Sequence, residues 1–267
     1  MDATRPPLPR LAAAAAAVTL AVAGVVVAAI TGGGPGPEPA AAPAGATTVA
    51  SGSGPARAVG WAPWDRDAAG RPLRWDPCTP VRFVLRADGA PPGAEADLAE
   101  ALRRLAAATG HDLHLVGTTD EAPAADRPLV VRTAEGWRWA PVLVAWAAPG
   151  AGGTPLGPHD RGVAVPVAVR DGDRHALVTG QVVLNAARTD VRPGFGDRAD
   201  AWGATLLHEL GHLLGLDHVD DPAQLMAAAP GAGPVVLGSG DLAGLAAVGA
   251  DGGCVATPSP TVGRGLG

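Results

Sequence analysis

Three histidines and a glutamate stand within eleven residues of this 267-residue chain: His208-Glu209-Leu210-Gly211-His212-Leu213-Leu214-Gly215-Leu216-Asp217-His218. On a helix, His208 and His212 project from one face, a turn apart. That spacing lets two imidazole nitrogens reach one Zn²⁺ at about 2.0–2.1 Å. Glu209 is rotated off that face, where its carboxylate can take a proton from a metal-activated water without competing for the ion. His218 lies six residues beyond His212, on the wrong side of any continuous helix, so the chain must stop and turn back. Gly215 supplies the stop, because glycine adopts the left-handed conformation without a steric penalty. Three protein ligands plus an open fourth position mark a catalytic zinc site rather than a structural one. The rival reading is a polar helix face of solvated histidines. With 7 His and 6 Glu in the chain, H-E-x-x-H is expected by chance about 0.004 times, and with the later Gly and His about 1.5 × 10⁻⁵ times, which decides against coincidence.

These side chains need a helix, a turn and a scaffold. Asp200 to Leu214 reads as the helix, with Leu206, Leu207, Leu210, Leu213 and Leu214 as ordinary core. Val81–Arg86 alternates with period two and reads as a strand. Glu95–Ala108 carries Leu98, Leu102 and Leu105 on one face, opens with acids and ends at Gly110, as a helix should. Further strands are expected at Leu113–Val116, Leu129–Arg132, Val142–Trp146, Val163–Val169 and Leu177–Leu184. Pro166 cannot donate to a ladder, which places its strand at a sheet edge, where an extended peptide could add antiparallel. A last helix is expected over Leu242–Val248, with Asp241 as its cap and Gly249 behind it. This order indicates an α/β or α+β domain around one mixed sheet.

The rest of the chain sets the compartment. Arg5 and Arg10 precede the uncharged apolar stretch Leu11–Ile30, and the next basic residue is Arg57, so the N-terminus faces the cytoplasm. Residues 1–30 read as a cleaved signal peptide or a retained membrane anchor, with a buried core helix as the bland alternative. Val27-Ala28-Ala29 and Ala44-Gly45-Ala46 could each be cleaved. Residues 31–60 are Gly, Pro, Ala, Thr and Ser with few large apolar side chains, hence a flexible linker. The domain is expected at 61–255, and 256–267 as a disordered tail. Outside the cytoplasm the two cysteines, Cys78 and Cys254, are expected to pair, two unrelated buried thiols being the alternative. A net charge of −6 and a pI near 5.6 exclude nucleic acid as the main partner. A membrane enters only through residues 11–30.

H-E-x-x-H-x-x-G-x-x-H followed by Met226, eight residues after His218, resembles the metzincin zinc endopeptidases, most nearly their matrixin-like bacterial members. The resemblance covers roughly 61–255 and rests on the 208–226 segment. It implies a metzincin-like catalytic domain: a five-stranded mixed sheet, the active-site helix, and a C-terminal helix after a Met-turn whose methionine, here Met226, underlies the metal. There are departures. Val219 stands where matrixins usually have Ser. The chain has no Tyr, which excludes the tyrosine ligand of astacin-like and serralysin-like members, and residues 31–60 have no Cys for a cysteine switch.

The resulting expectation is an extracytoplasmic zinc endopeptidase with one catalytic Zn²⁺ on His208, His212 and His218, Glu209 as general base, and peptide or protein as substrate. The alternatives are an inactive zinc-stabilised binding module and a zinc hydrolase of non-peptide amides. His159, Asp160 and His175 are weaker candidates for an additional structural metal, solvated loops being favoured. His111 and His114 read as surface or core residues, and Trp137 and Trp139 as cover for the sheet rather than a cleft lining. Asp217, Asp220 and Asp221 could orient imidazoles or simply form turns.

Overall fold

A computed structural model of the protein describes residues 28–31, 60–196, 200–228 and 236–263. Strands β1 (Ala28–Thr31) and β2 (Ala62–Pro63) precede β3 (Val81–Arg86), α1 (Ala94–Thr109) and β4 (Leu113–Thr118). A hairpin of β5 (Val130–Thr133) and β6 (Gly136–Trp139) leads into β7 (Val142–Ala147), β8 (Asp160–Asp171) and β9 (Arg174–Asn185). Helix α2 (Trp202–Leu213), the short β10 (Leu216–Asp217), α3 (Ser239–Val248) and α4 (Pro260–Gly263) complete the order.

The main sheet runs β1-β8-β9-β7-β3-β4. β4, β3, β7 and β9 are mutually parallel; β8 runs antiparallel to β9, and β1 antiparallel to β8, hence in the direction of the other four. The expected five-stranded mixed sheet is present, with a sixth strand added. That strand is Ala28–Thr31, from the stretch expected to be a signal or anchor helix; residues 1–27 lie outside the described residues. Among the described residues no helix is long and apolar enough to cross a membrane. β1 pairs with Asp160–Ala164, so the strand expected at Val163–Val169 is longer and is not the outermost strand along that half. Pro166 lies past the pairing with β1, opposite Gly180 of β9, whose carbonyl accepts from the Arg127 guanidinium (3.1 Å).

Burial follows the apolar pattern. Leu98, Leu102 and Leu105 of α1 meet Phe83 and Leu85 of β3, Val144 and Trp146 of β7, and Leu206, Leu207 and Leu210 of α2 in one core. Ala147, Leu156, Val163 and Val183 form a second cluster. β9 and α2 are buried almost throughout, which is why neither shows a clean alternation of polar residues. α3 begins at Ser239 after Gly238, so Asp241 is not its cap residue; it sits one turn in, and its carboxylate accepts from the Gly238 N–H (2.7 Å). Cys78 and Cys254 form a disulfide that closes most of the domain into a loop. Such a link contributes about 2–5 kcal/mol, largely by restricting the unfolded chain. Ala256–Gly263, expected to be disordered from its Pro/Ser composition, is instead placed against β6, with the Trp139 indole donating to the Pro258 carbonyl (3.1 Å). Residues 264–267 lie outside the described residues, as does the linker 32–59.

Candidate metal centre

All twelve residues of α2 are buried, His208 and His212 included. The helix ends at Leu214, and Gly215 takes φ 109°, a conformation that only glycine adopts readily. Any side chain there would also press on the Leu73 carbonyl, 2.9 Å from its Cβ. The returning chain is pinned by the domain's first residues. Trp64 donates its N–H to the Gly215 carbonyl (2.8 Å), and β10 pairs with β2, Leu216 opposite Pro63. His218 follows directly, so Gly215 turns the chain as its spacing implied.

The three Nε2 atoms converge. His208 and His212 lie 3.1 Å apart, His208 and His218 3.0 Å, and His212 and His218 3.2 Å. The Nδ1 of His208 faces the Leu225 carbonyl (2.8 Å), and that of His212 faces the Leu216 carbonyl (2.9 Å). A carbonyl can only accept, so both Nδ1 atoms carry the proton and both Nε2 atoms present lone pairs. His218 can supply one proton at most, so at least two of the three close contacts have none to share or leave a lone pair unmatched. Burial pushes His208 down to about 4 and His212 well below the ordinary imidazole range, so protonation does not relieve the crowding. A cation does. Ligands at about 2.0–2.1 Å in tetrahedral array stand about 3.4 Å apart, close to the triangle observed. Among the described residues, His208, His212 and His218 form a group able to hold a metal ion.

Beneath the helix, Met226 packs against Gly211. A Cβ at Gly211 would lie 2.6 Å from the Met226 sulfur, so the missing side chain is the space the thioether fills. The turn carrying Met226 is fixed by α3. Asp241, buried, accepts from Leu225 N (2.6 Å) and Met226 N (3.1 Å) as well as Gly238 N. Gln224 Oε1 in return accepts from Gly240 N and Asp241 N (2.8 and 3.1 Å). Leu225 therefore holds its amide on Asp241 and its carbonyl on His208. Sequence reasoning read Asp241 only as a cap and missed Gln224; the one available signal was an acid in the first turn of α3. Asp217 and Asp221 are turn-formers: Asp217 accepts from the next amide, His218 N (2.7 Å), and Asp221 from Ala223 N and Gln224 Nε2 (3.0 and 2.9 Å). Backbone carbonyls, not these acids, orient His208 and His212.

Glu209 is fully buried between α2 and β8, and among the described residues no side chain donates to its carboxylate; the Ala164 amide of β8 is the one donor that favours its charged form. Gly162 of β8 leaves the room it needs, since a Cβ there would lie 2.9 Å from Glu209 Cγ. Burial raises the Glu209 carboxyl well above the ordinary carboxylate range, and the negative Asp160 nearby adds to this. A buried acid with no cationic side chain beside it among the described residues, next in sequence to His208, fits a site completed by a cation.

The other candidates do not gather. His159 and His114 are exposed, His111 is buried and His175 half-buried, and among the described residues His159, Asp160 and His175 form no group able to hold an ion. Asp76 lies close to Cys78 and Cys254, but their sulfurs are spent in the disulfide. Trp137 and Trp139 stand on the separate β5–β6 hairpin.

No protein-family model matches the sequence, and no curated protein matches it. Among solved structures, the crystal structure of metalloproteinase-II from Bacteroides fragilis is similar at 14% identity with a TM-score of 0.38. The similarity covers 74% of this chain, which spans 59% of the length of that structure. At that TM-score the likeness assigns neither fold nor activity.

Proposed function

We propose that the chain is an extracytoplasmic, zinc-dependent endopeptidase of the metzincin type. The observation that carries this reading is the convergence of three Nε2 atoms, two on buried rings whose Nδ1 protons are held by carbonyls and one on the half-buried His218, beside the buried Glu209. His208, His212 and His218 would hold the ion. When bound there, zinc supplies Lewis-acid polarisation of the scissile carbonyl and lowers the pKa of water to about 7. Glu209 accepts the attacking water's proton on a carboxyl oxygen and returns it to the leaving nitrogen as the peptide bond breaks. A carboxyl raised by burial is suited to the second half of that task, and a nearby cation favours the charged form needed for the first. Asp241, through the Leu225 peptide, keeps the His208 ring fixed while the proton moves. The disulfide supports a place outside the cytoplasm.

The antiparallel seat of Ala28–Thr31 on β8 supports reading that edge as the place where a substrate backbone lies. Cleavage after Ala46 on export would bare it, whereas cleavage after Ala29 would leave Thr31, the partner of Asp160, on the chain. The test is a mixed peptide library digested by the zinc-loaded protein and read by mass spectrometry, with and without a chelator. Internal cleavage that the chelator abolishes and zinc restores is expected. Intact peptides with the loaded protein, or hydrolysis of non-peptide amides alone, would overturn the reading.

A further inference from the structure

The β5–β6 hairpin stands apart from the main sheet, and between it and the domain lies a cavity of about 350 Å³. Its walls include Trp75, Trp137, Trp139 and Pro141, with Arg82 and Glu135 at the rim. Trp137 and Trp139 are two apart on β6, so they share a face. Trp75 is held firmly, its indole N–H donating to the Leu213 carbonyl at the end of α2 (2.8 Å). The rim carries both signs, Arg138 facing Glu135 at 3.7 Å, and so does not select a strongly charged ligand.

The chain's own tail shows what this surface accepts. Thr257-Pro258-Ser259-Pro260 runs along it: Thr257 and Pro260 line the cavity, Pro258 is buried, and the Pro258 carbonyl takes the Trp139 indole proton (3.1 Å). Proline suits such a wall. It has no N–H to leave unpaired against apolar rings, its φ is set in advance, and extended proline-rich backbone projects its carbonyls outward. A half-buried indole offers one donor and a broad apolar plate, the complement of that backbone. The Thr257 hydroxyl is buried beside the cavity without a partner, a polar group that an incoming backbone can satisfy.

We propose that the tryptophan groove is a docking site for proline-rich peptide, of which Thr257–Pro260, the segment that leads into α4, is the resident copy. A segment of the same type from another chain competes with the tail and extends into the cavity. The inference does not depend on the peptidase reading, because no histidine or Glu209 lines the groove.

The probe is a synthetic peptide copying residues 255–262, titrated calorimetrically into the full chain, with Glu209→Gln in every protein so that no peptide is consumed. Replacing Pro258 and Pro260 of the protein with Ala should tighten binding of the probe at least threefold, by weakening its resident competitor. Trp139→Phe, which keeps the ring surface and loses the donor, should weaken it at least fivefold, and Trp139→Ala should abolish it. A probe with both prolines changed to Ala should bind at least tenfold more weakly. Circular dichroism and an intact disulfide check that each variant is folded. Equal affinity for the proline-free probe, unchanged binding by folded Trp139→Phe, or capture of neutral oligosaccharide in place of peptide would each overturn the proposal.

Discussion

The histidine cluster and the tryptophan groove meet at one residue, since Trp75 walls the groove while bonding to the last turn of α2, yet they treat polar groups in opposite ways. In the cluster the Nδ1 protons of His208 and His212 are already spent on main-chain carbonyls, and their buried Nε2 lone pairs point, with the His218 Nε2, at one place. In the groove the Trp139 indole, half-buried, donates to a main-chain carbonyl of the chain's own tail. The first is preorganised for a small cation and rigid because a second layer, Leu225 and Asp241, holds it. The second is preorganised for backbone and keeps its occupant exchangeable. Rigidity here follows from how many buried amides converge on one acceptor.

The largest effect should come from Asp241→Ala, which leaves the amides of Leu225, Met226 and Gly238 without their acceptor. A buried unpaired donor costs about 1–3 kcal/mol, so the variant should lose roughly 3 kcal/mol or more in denaturant unfolding. Its zinc affinity, measured by competition with a chromophoric chelator, should fall as His208 loosens. Binding of proline-rich peptide to the groove should not change; if it does, the two regions are not independent.

A smaller loss is expected from Gly211→Ala, whose new methyl must displace the Met226 sulfur. Overpacking of this kind costs about 1–3 kcal/mol. Pairing it with Met226→Ala, which opens space, should recover part of that loss in the same unfolding assay. Additive losses would show that the two residues do not touch as described.

The smallest effect lies in neither region. His111 is buried, and burial lowers its pKa below the ordinary 6.5, with Arg74 adding to the shift while the Val248 backbone and Asp76 oppose it. The folded protein therefore binds fewer protons at this ring than the unfolded chain. Stability from the neutral ring is complete above about pH 6.5 and is lost as the pH falls below it. His111→Gln should flatten the decline in unfolding free energy between pH 7 and pH 5. An unchanged slope would mean the ring is not buried in solution.

Much of the cluster was legible because its ligands sit within eleven consecutive residues, where helical spacing and one glycine dictate geometry. The carbonyls of Leu216 and Leu225 were not, since any residue type has a carbonyl and only the fold aims it. Asp241 was half-legible: an acid in the first turn of a helix announces a favourable position, not the distant amides it also reaches. The groove was invisible, being assembled from segments around 75–82, 135–141, 177–178 and 257–260. Composition alone marked the tail as disordered because it cannot register that Trp139 waits for Pro258. The amphipathic elements, α1 and β3 above all, were readable from periodicity. Ala28–Thr31 was not, because an apolar run long enough to span a membrane says nothing about pairing with β8.

The central claim, a metal held by three histidines with Glu209 moving the proton, is tested most directly by metal analysis and peptide hydrolysis on the same preparations of wild type, Glu209→Gln and His212→Ala. Glu209→Gln should keep about one zinc per chain while hydrolysis falls by at least the roughly 10²–10⁴-fold that general acid–base catalysis contributes. His212→Ala should lose zinc and hydrolysis together, two ligands making a poor zinc site. A zinc-loaded Glu209→Gln protein that cleaves peptides at the wild-type rate would contradict the account.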